Sequence, residues 1–313
     1  MSASTLVTVP SYEGRFLSSL DRACDVLKLE CITFIVFREY LEEDACGREV
    51  DSEAATALRE NYCEAQRRLT RRGIHFEVIK TNLDDLGAFS TIIRELSWDQ
   101  TALDISTMPR SYVLTALRYA APDIKNIIYT QGKNRREGED AFTVGVRDVV
   151  TLPGFEGRVG HRPTLLVMSI GYEGARAYSL FRRYEPTITI ACLGDPGPED
   201  AERDRILRTV SLNNRPLLDT DGVRSLRLPS YDPTAFADES TIAIDAASRE
   251  LEQSQGFPTD VILSPVGTKP QTLGLFSIWK EHPEYQIAYA IPTTRRLGTV
   301  DAGSTFWFMR RED

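Results

Sequence analysis

Short apolar runs alternate along the chain with longer amphipathic segments. The apolar runs are rich in Val, Ile and Phe and show little polar alternation, which is typical of strands buried on both faces of a parallel sheet. We predict strands at residues 5–9, 32–37, 74–79, 101–105, 125–130, 164–169, 187–193, 223–228, 259–264 and 285–291. Strands that alternate with helices predict an α/β fold, in which helices flank a mostly parallel sheet and the crossovers are right-handed.

One amphipathic segment carries helix signals at both of its ends. Residues 52–73 have the sequence SEAATALRENYCEAQRRLTRRG. Ser52 is a residue type that caps helix N-termini, and Gly73 is the type that most often follows a helix C-terminus. We therefore predict that one helix fills the space between these two residues.

The chain repeats short words at an offset of 160 residues. Tyr-Glu-Gly occurs at residues 12–14 and again at residues 172–174, each time after an apolar run. Further along, NIIYTQGKNRREG at residues 126–138 matches QIAYAIPTTRRLG at residues 286–298. Between these anchors, a slip of one residue sets Arg110 opposite Lys269. Three anchors in the same order indicate a tandem duplication, since self-similarity at a fixed period is the signature of repeated units.

The duplication predicts two tandem Rossmann-like units that form a pseudo-dimer within one chain. We place the first repeat at residues 1–132 and the second, including a C-terminal strand, at residues 161–313. Residues 133–160 are rich in charge and Gly and contain strand-like pieces, so we interpret them as a hairpin-like extension and linker. Within this extension, AFTVGVR at residues 141–147 resembles TFWFMRR at residues 305–311 in its pattern.

Composition narrows the class of protein. The 313 residues carry a net charge of −9, which argues against general binding of duplex DNA because such binding needs a basic face. No apolar run reaches the roughly 18–20 residues of a membrane helix, and the N-terminus lacks the pattern of a signal peptide. The five cysteines form no C-x-x-C pair and the three histidines are far apart. We expect a cytoplasmic protein without a metal site or a cofactor.

The repeated words follow predicted strands, at the edge of the sheet where open parallel sheets bind ligands. Helix N-termini attract anions, glycine permits close backbone approach, arginine grips phosphate with paired hydrogen bonds, and tyrosine can stack on a base. We expect contacts with a small phosphate-containing ligand, a nucleotide or cyclic oligonucleotide. The candidate residues are Ser11, Tyr12, Glu13, Arg15, Ser106, Thr107, Arg110, Arg135, Arg136, Tyr172, Glu173, Gly174, Arg176, Gly267, Thr268, Lys269, Arg295 and Arg296.

A structural interpretation stands beside the functional one at each position. Gly, Ser and Thr are needed for helix capping in any strand–turn–helix unit. Glu13 and Glu173 also suit the first turn of a helix, where the helix dipole favours an acid. The paired arginines are also compatible with solvated loop charges, and Tyr129 and Tyr289 with the core. Recurrence of the whole set in both copies favours the functional interpretation.

PVGTKP at residues 265–270, after a buried strand and before a helix, resembles the Gly-Thr-Lys-Pro signature of CARF domains. These are Rossmann-like sensors of CRISPR systems, related to the fused double sensors called SAVED domains. DISTMPR at residues 104–110 is similar to a weaker form of the motif, with Met108 and Pro109 in place of Gly-Thr. The resemblance covers the strand–helix order of each half through few specific residues. The Tyr-Glu-Gly word is not part of it.

The resemblance implies how a ligand is held. CARF proteins form homodimers with cyclic oligoadenylate in the cleft between two units, so the two repeats here are expected to hold such a ligand in a shared cleft. It implies contacts from Thr107, Arg110, Thr268 and Lys269. The sequence shows no nuclease carboxylate cluster and no protease pattern. If the chain is a sensor, its effector is therefore expected to be a separate protein.

Three hypotheses for function follow. The leading one is a ligand sensor in a prokaryotic antiviral defence system. The second is a nucleotide-processing enzyme, in which Glu13, Glu173 or Asp104 acts as an N-glycosidase or deoxyribosyltransferase carboxylate, or Lys269 promotes ring cleavage as in ring nucleases. The third is a scaffold subunit that binds a partner protein through the same basic loops.

Overall fold

The computed structural model describes residues 3–41, 52–83, 85–120, 124–133, 144–158, 160, 162–294 and 301–309. The chain divides into two compact units. The first comprises Met1–Ala141 together with Arg296–Asp313, and the second comprises Phe142–Arg295. Among the described residues, no helix has both the length and the apolar character to cross a membrane.

The elements of the structure follow the alternation that the sequence predicts. Up to residue 133 they are β1 (Thr5–Thr8), α1 (Gly14–Val26), β2 (Cys31–Phe37), α2 (Arg38–Leu41), α3 (Ser52–Arg72), β3 (His75–Thr81), α4 (Leu86–Glu95), β4 (Thr101–Asp104), α5 (Arg110–Ala120) and β5 (Asn126–Lys133). From residue 144 they are β6 (Val144–Thr151), β7 (Thr164–Ile170), α6 (Gly174–Tyr184), β8 (Ile188–Asp195), α7 (Arg203–Asn213), α8 (Arg215–Leu218), β9 (Val223–Pro229), α9 (Pro233–Gln255), β10 (Asp260–Pro265), α10 (Lys269–Glu281), β11 (Gln286–Thr294) and β12 (Asp301–Met309).

Each unit contains one six-stranded sheet, and the two sheets have equivalent strand orders. The first sheet runs β12-β5-β4-β1-β2-β3 and the second runs β6-β11-β10-β7-β8-β9. All pairs are parallel except β12 with β5 and β6 with β11. The prediction of two Rossmann-like α/β units is confirmed, and each predicted strand is present with ends within three residues of the prediction. Gly73 ends α3 with a φ of 69°, as its sequence position predicts.

The C-terminal edge strand belongs to a different unit from the one that we predicted, and the predicted linker supplies the other edge strand. The segment that we interpreted as a hairpin-like extension supplies β6, which pairs with β11 of the second sheet and not with β5. The C-terminal strand β12, which we assigned to the second repeat, pairs with β5 of the first sheet. Apolar patterning identifies a strand but not its partner, because the outer edge of either sheet offers the same unpaired backbone groups.

The strand pairs also show which residues of the two edge strands are equivalent. Thr305 pairs with Thr130, and Val149 pairs with Ala290, which is the equivalent of Thr130 in the second unit. Thr305 therefore corresponds to Val149. The similarity in pattern between residues 141–147 and 305–311 does not give this register, because two short alternating strands match in pattern at more than one register.

Side chains integrate β12 into the first unit. Trp307 packs against the core cluster that contains Phe16 and Phe34. The Thr305 hydroxyl lies 2.8 Å from the Thr130 hydroxyl, and Arg22 of α1 donates to the carbonyl of Gly303 at 2.7 Å. The C-terminal strand is therefore a structural part of the first unit, held by packing and by polar contacts to β5 and α1.

Candidate functional site

In each unit, the repeated words lie together at the carboxyl edge of the sheet. β1 and β4 are parallel neighbours, and so are β7 and β10, so the loops that follow them leave from the same edge. We call residues 9–15 and 105–110 the first rim, and residues 171–176 and 266–269 the second rim. Helices begin directly after both loops of each rim. This placement agrees with the sequence prediction and with the usual position of ligands in parallel sheets.

Arg15 lies inside the first unit and not on its surface. The residue is 4% exposed. Its guanidinium forms an ion pair with Glu13 and donates to the carbonyl of Thr130 on β5 at 3.4 Å. Burial by itself lowers the pKa of Arg15, but the Glu13 carboxylate and Tyr129 outweigh that effect, so the net pKa is raised and the arginine stays charged. Arg15 therefore connects the Tyr-Glu turn to β5, and its predicted contact with a ligand stays a prediction.

Arg176 does the same in the second unit. It is 3% exposed, donates to Glu173 at 2.8 Å and donates to the carbonyl of Ala290 on β11 at 3.0 Å. Its guanidinium lies 4.8 Å from the centre of the Tyr289 ring. Burial again lowers the pKa, while Tyr289 and Glu173 raise it further, so the net pKa is raised. Arg176 therefore also forms an internal tie, and its contact with a ligand stays a prediction.

These ion pairs change the interpretation of the two glutamates. The side chains of Glu13 and Glu173 are 14% and 16% exposed, and each carboxylate is engaged by a buried arginine. Such a pair orients the carboxylate toward the arginine. The repeated Tyr-Glu-Gly word thus encodes the entry turn of a helix together with one member of an ion pair.

An asparagine from a neighbouring helix holds each turn from the other side. Asn61 of α3 donates to the carbonyl of Ser11 at 2.9 Å, and Asn214 donates to the carbonyl of Gly171 at 2.7 Å. Ser11 and Gly171 are equivalent positions at the repeat offset. In the second unit, Asn213 adds a bond to the carbonyl of Tyr172 at 2.8 Å. Sequence reasoning missed these asparagines, because Asn61 and Asn214 are not separated by the repeat offset.

Asp104 and Ser106 belong to the core of the first unit. Asp104 is 1% exposed, and its two oxygens accept from the Thr8 hydroxyl at 3.0 Å and the Ser106 amide at 2.9 Å. The Ser106 hydroxyl accepts from the Thr130 amide at 2.7 Å. These hydrogen bonds stabilise the strand ends, and the roles of Asp104 as a catalytic candidate and of Ser106 as a ligand contact stay predictions. Ser11 is also buried, and its hydroxyl accepts from the Glu13 amide at 3.2 Å.

The two glycines of the second rim allow close approach of protein to protein. A Cβ on Gly174 would lie 1.8 Å from the carbonyl oxygen of Asn213. A Cβ on Gly267 would lie 2.3 Å from Oε1 of Gln271 and 3.0 Å from the Cβ of Ser169. Both glycines thus make room for neighbouring parts of the protein, and their predicted contact with a ligand stays a prediction.

The loops after β4 and β10 carry threonines that brace the turns. Thr107 donates to the carbonyl of Val9 at 2.6 Å, and Thr268 donates to the carbonyl of Ser230 at 2.7 Å. Thr268 is also the N-cap of α10, in a capping box with Gln271. Both threonines remain partly exposed, so each hydroxyl braces its loop while the residue stays at the surface of the rim.

Arg110 and Lys269 occupy the same position in the two units. Arg110 is the first residue of α5, and Lys269 is the first residue of α10. Both are partly exposed, which agrees with the one-residue slip in the repeat. Tyr12 and Tyr172 are partly exposed on the same rims. Arg135, Arg136, Arg295 and Arg296 lie outside the described residues.

Comparison with known proteins bears on the fold. No protein-family model matches the chain, and no curated protein matches it. The chain is similar to a solved structure of a Type III CRISPR defence DNA nuclease activated by cyclic oligoadenylate, with a TM-score of 0.53, 10% identity and coverage of 92% of this chain. This chain covers 65% of that chain. At this identity the likeness shows a shared fold alone, which is consistent with the CARF-like fold expected from the PVGTKP word.

Two further solved structures have lower scores. One is a putative universal stress protein from Pseudomonas aeruginosa UCBPP-PA14, with a TM-score of 0.27, 11% identity and coverage of 93% of this chain and 94% of that one. The other is the cytoplasmic domain of a prokaryotic cation chloride cotransporter, with a TM-score of 0.28, 10% identity and coverage of 93% and 96%. These scores carry no argument about this chain.

Proposed function

We propose that the chain is a sensor that binds a nucleotide or cyclic oligonucleotide at its rims. The observation that carries this proposal is the basic residue at the first position of α5 and of α10. The N-terminus of a helix attracts anions, and a lysine or arginine at its first position adds a full positive charge there. Each unit places such a residue at the carboxyl edge of its sheet, where it would bind a phosphate group together with the helix N-terminus.

The remaining rim residues fit the same ligand class. In this proposal, Arg110 and Lys269 bind phosphate groups, and the partly exposed Tyr12 and Tyr172 contact bases. The fold shared with the nuclease activated by cyclic oligoadenylate supports cyclic oligoadenylate as the first ligand to test. We further propose a cytoplasmic role in prokaryotic antiviral defence, with a separate effector protein. Placement of one ligand between the two units stays a prediction of the sequence.

The geometry gives less support to the enzyme hypothesis. Glu13 and Glu173 are each paired with a buried arginine, and Asp104 has both oxygens occupied inside the core. A nucleophilic carboxylate has to approach the sugar carbon of its substrate. We therefore propose binding and sensing as the function, with turnover as a separate outcome to be measured.

Calorimetry with cyclic oligoadenylates of several ring sizes tests the proposal. We expect the wild-type protein to bind at least one of them. The double variant Arg110→Ala/Lys269→Ala should lose about 100-fold or more in affinity, since each bond to a charged group contributes about 1.5–3 kcal/mol. Wild-type protein that binds none of the rings, or a double variant with unchanged affinity, would remove the proposal.

A matched control is available on the same two helices. Arg118 and Lys280 are exposed and lie in the last turns of α5 and α10. Arg118→Ala/Lys280→Ala removes the same net charge from the opposite ends of the helices and should leave affinity unchanged. Circular dichroism confirms that each variant is folded. Chromatography of the incubated ligand then separates sensing from turnover, because cleaved products would assign the chain to the enzyme class.

A further inference from the structure

The Tyr-Glu turns are held more firmly than helix entry requires. A single N-cap hydrogen bond is enough to begin a helix, yet each turn here is tied to two other parts of its unit. In the first unit, one tie runs from Asn61 of α3 to the carbonyl of Ser11. The other runs from Glu13 through Arg15 to the carbonyl of Thr130 on β5. Tyr12 lies between these two anchored residues.

The second unit reaches the same arrangement with different residues and spacing. Asn214 holds the carbonyl of Gly171, and Asn213 holds the carbonyl of Tyr172 itself. Glu173 is tied through Arg176 to the carbonyl of Ala290 on β11. Tyr172 is thus also flanked by anchored groups on both sides.

A buried arginine is a costly way to brace a turn. Removing a guanidinium from water carries a large desolvation penalty, and a hydrophobic replacement of similar volume is often neutral or stabilising. The chain nevertheless uses an arginine at both turns, at 4% and 3% exposure. Unlike an apolar residue, the arginine orients its partners, because one guanidinium binds both the carboxylate and a strand carbonyl.

From this geometry we infer that the asparagines and arginines are positioning residues, which fix Tyr12 and Tyr172 to receive a nucleobase. This inference rests on the proposed function and names the part of the ligand that these turns recognise. An aromatic ring held in place loses little conformational entropy when a base stacks on it, so an ordered turn favours binding. Phosphate recognition by Arg110 and Lys269 does not depend on these ties.

The test removes the side-chain amides of the two most exposed asparagines that hold the turns. Asn213 is exposed and Asn61 is partly exposed, so Asn61→Ala/Asn213→Ala should remain folded. We expect its affinity for the cyclic oligoadenylate that binds the wild type best to fall about tenfold, within the range that base stacking contributes. Gln253→Ala, which removes an exposed amide from α9, is the control and should bind like the wild type.

A double-mutant cycle separates positioning from general structural support. The same asparagine changes are made in a Tyr12→Leu/Tyr172→Leu protein, where leucine keeps apolar packing but removes most of the stacking surface. If the asparagines act through the tyrosines, their removal should have no further effect on affinity in this background. An equal loss in both backgrounds, or no loss in either, overturns the inference while leaving the proposed function intact. A wild-type protein that binds no oligoadenylate overturns both.

Discussion

The two units build the same tie from different sequence spacings. In the first unit, Arg15 follows Glu13 by two residues, and in the second, Arg176 follows Glu173 by three. Both guanidiniums nevertheless pair with the glutamate and donate to carbonyls at equivalent positions, Thr130 and Ala290. The two halves therefore share the contact between the glutamate, the arginine and the strand carbonyl. They do not share the number of residues that separates the glutamate from the arginine. Each helix start presents more than one residue from which an arginine can reach the same strand.

The largest expected effect comes from breaking these ties. Arg176→Ala leaves Glu173 and the carbonyl of Ala290 without their donor, and it should lower the free energy of unfolding by about 3–5 kcal/mol. Arg15→Ala should cost less, because the bond from Arg15 to Thr130 is longer, at 3.4 Å against 3.0 Å for Arg176 to Ala290. Urea denaturation followed by circular dichroism measures both.

Arg183→Ala serves as the control for these variants. Arg183 is exposed in the last turn of α6, and its removal should change the free energy of unfolding by no more than about 0.5 kcal/mol. If Arg15→Ala and Arg176→Ala behaved like this control, the ion pairs would not be structural ties, and the similarity between the two turns would lose its energetic basis.

A smaller effect should distinguish the two glycines of the repeated word. A Cβ on Gly174 would meet the carbonyl of Asn213 at 1.8 Å, so Gly174→Ala should cost about 1–3 kcal/mol through overpacking. Gly14 is exposed, and Gly14→Ala should stay within about 0.5 kcal/mol of the wild type. Thermal denaturation of the two variants tests whether the glycine of the Tyr-Glu-Gly sequence is packed differently in the two units. Equal costs would contradict that difference.

The sequence predicts local features of this structure better than contacts between residues that are far apart in the chain. The strands and the repeat were readable because buried parallel strands have continuous apolar runs. The partner of β12 was not readable, since nothing in residues 301–309 distinguishes the edge of β5 from that of β11. Neither sheet edge is specified by side-chain alternation alone.

The rims show the same limit at the level of side chains. Arg110 and Lys269 were predictable as helix-start cations at a sheet edge, because the position of a loop after a strand fixes its edge. Arg15 and Arg176 were assigned to the ligand because arginine grips phosphate with paired hydrogen bonds. Their burial depends on a glutamate and a strand carbonyl that come together only in the folded unit. The sequence alone carries no signal for that convergence.

The smallest predicted effect concerns a position where the units carry opposite charges. The strand registers equate Asp195, at the end of β8, with Arg38, at the start of α2. Asp195 accepts two hydrogen bonds from Arg203, at 2.7 Å and 2.6 Å. The bond from Arg203 is the main cause of a pKa of Asp195 below its ordinary value of 3.8. Arg38 is exposed.

The sign of the resulting pH dependence follows from linkage. Because the pKa of Asp195 is lowered in the folded state, the pair stabilises the protein above the ordinary carboxyl pKa and loses this contribution as pH falls through the folded value. Asp195→Asn should therefore be less stable than the wild type at neutral pH, and the difference should shrink below about pH 4. Arg38→Ala should show no such convergence with the wild type. Urea denaturation midpoints measured from neutral to acidic pH test this prediction. If the stability difference between Asp195→Asn and the wild type stayed constant with pH, the two positions would not differ in their electrostatic role.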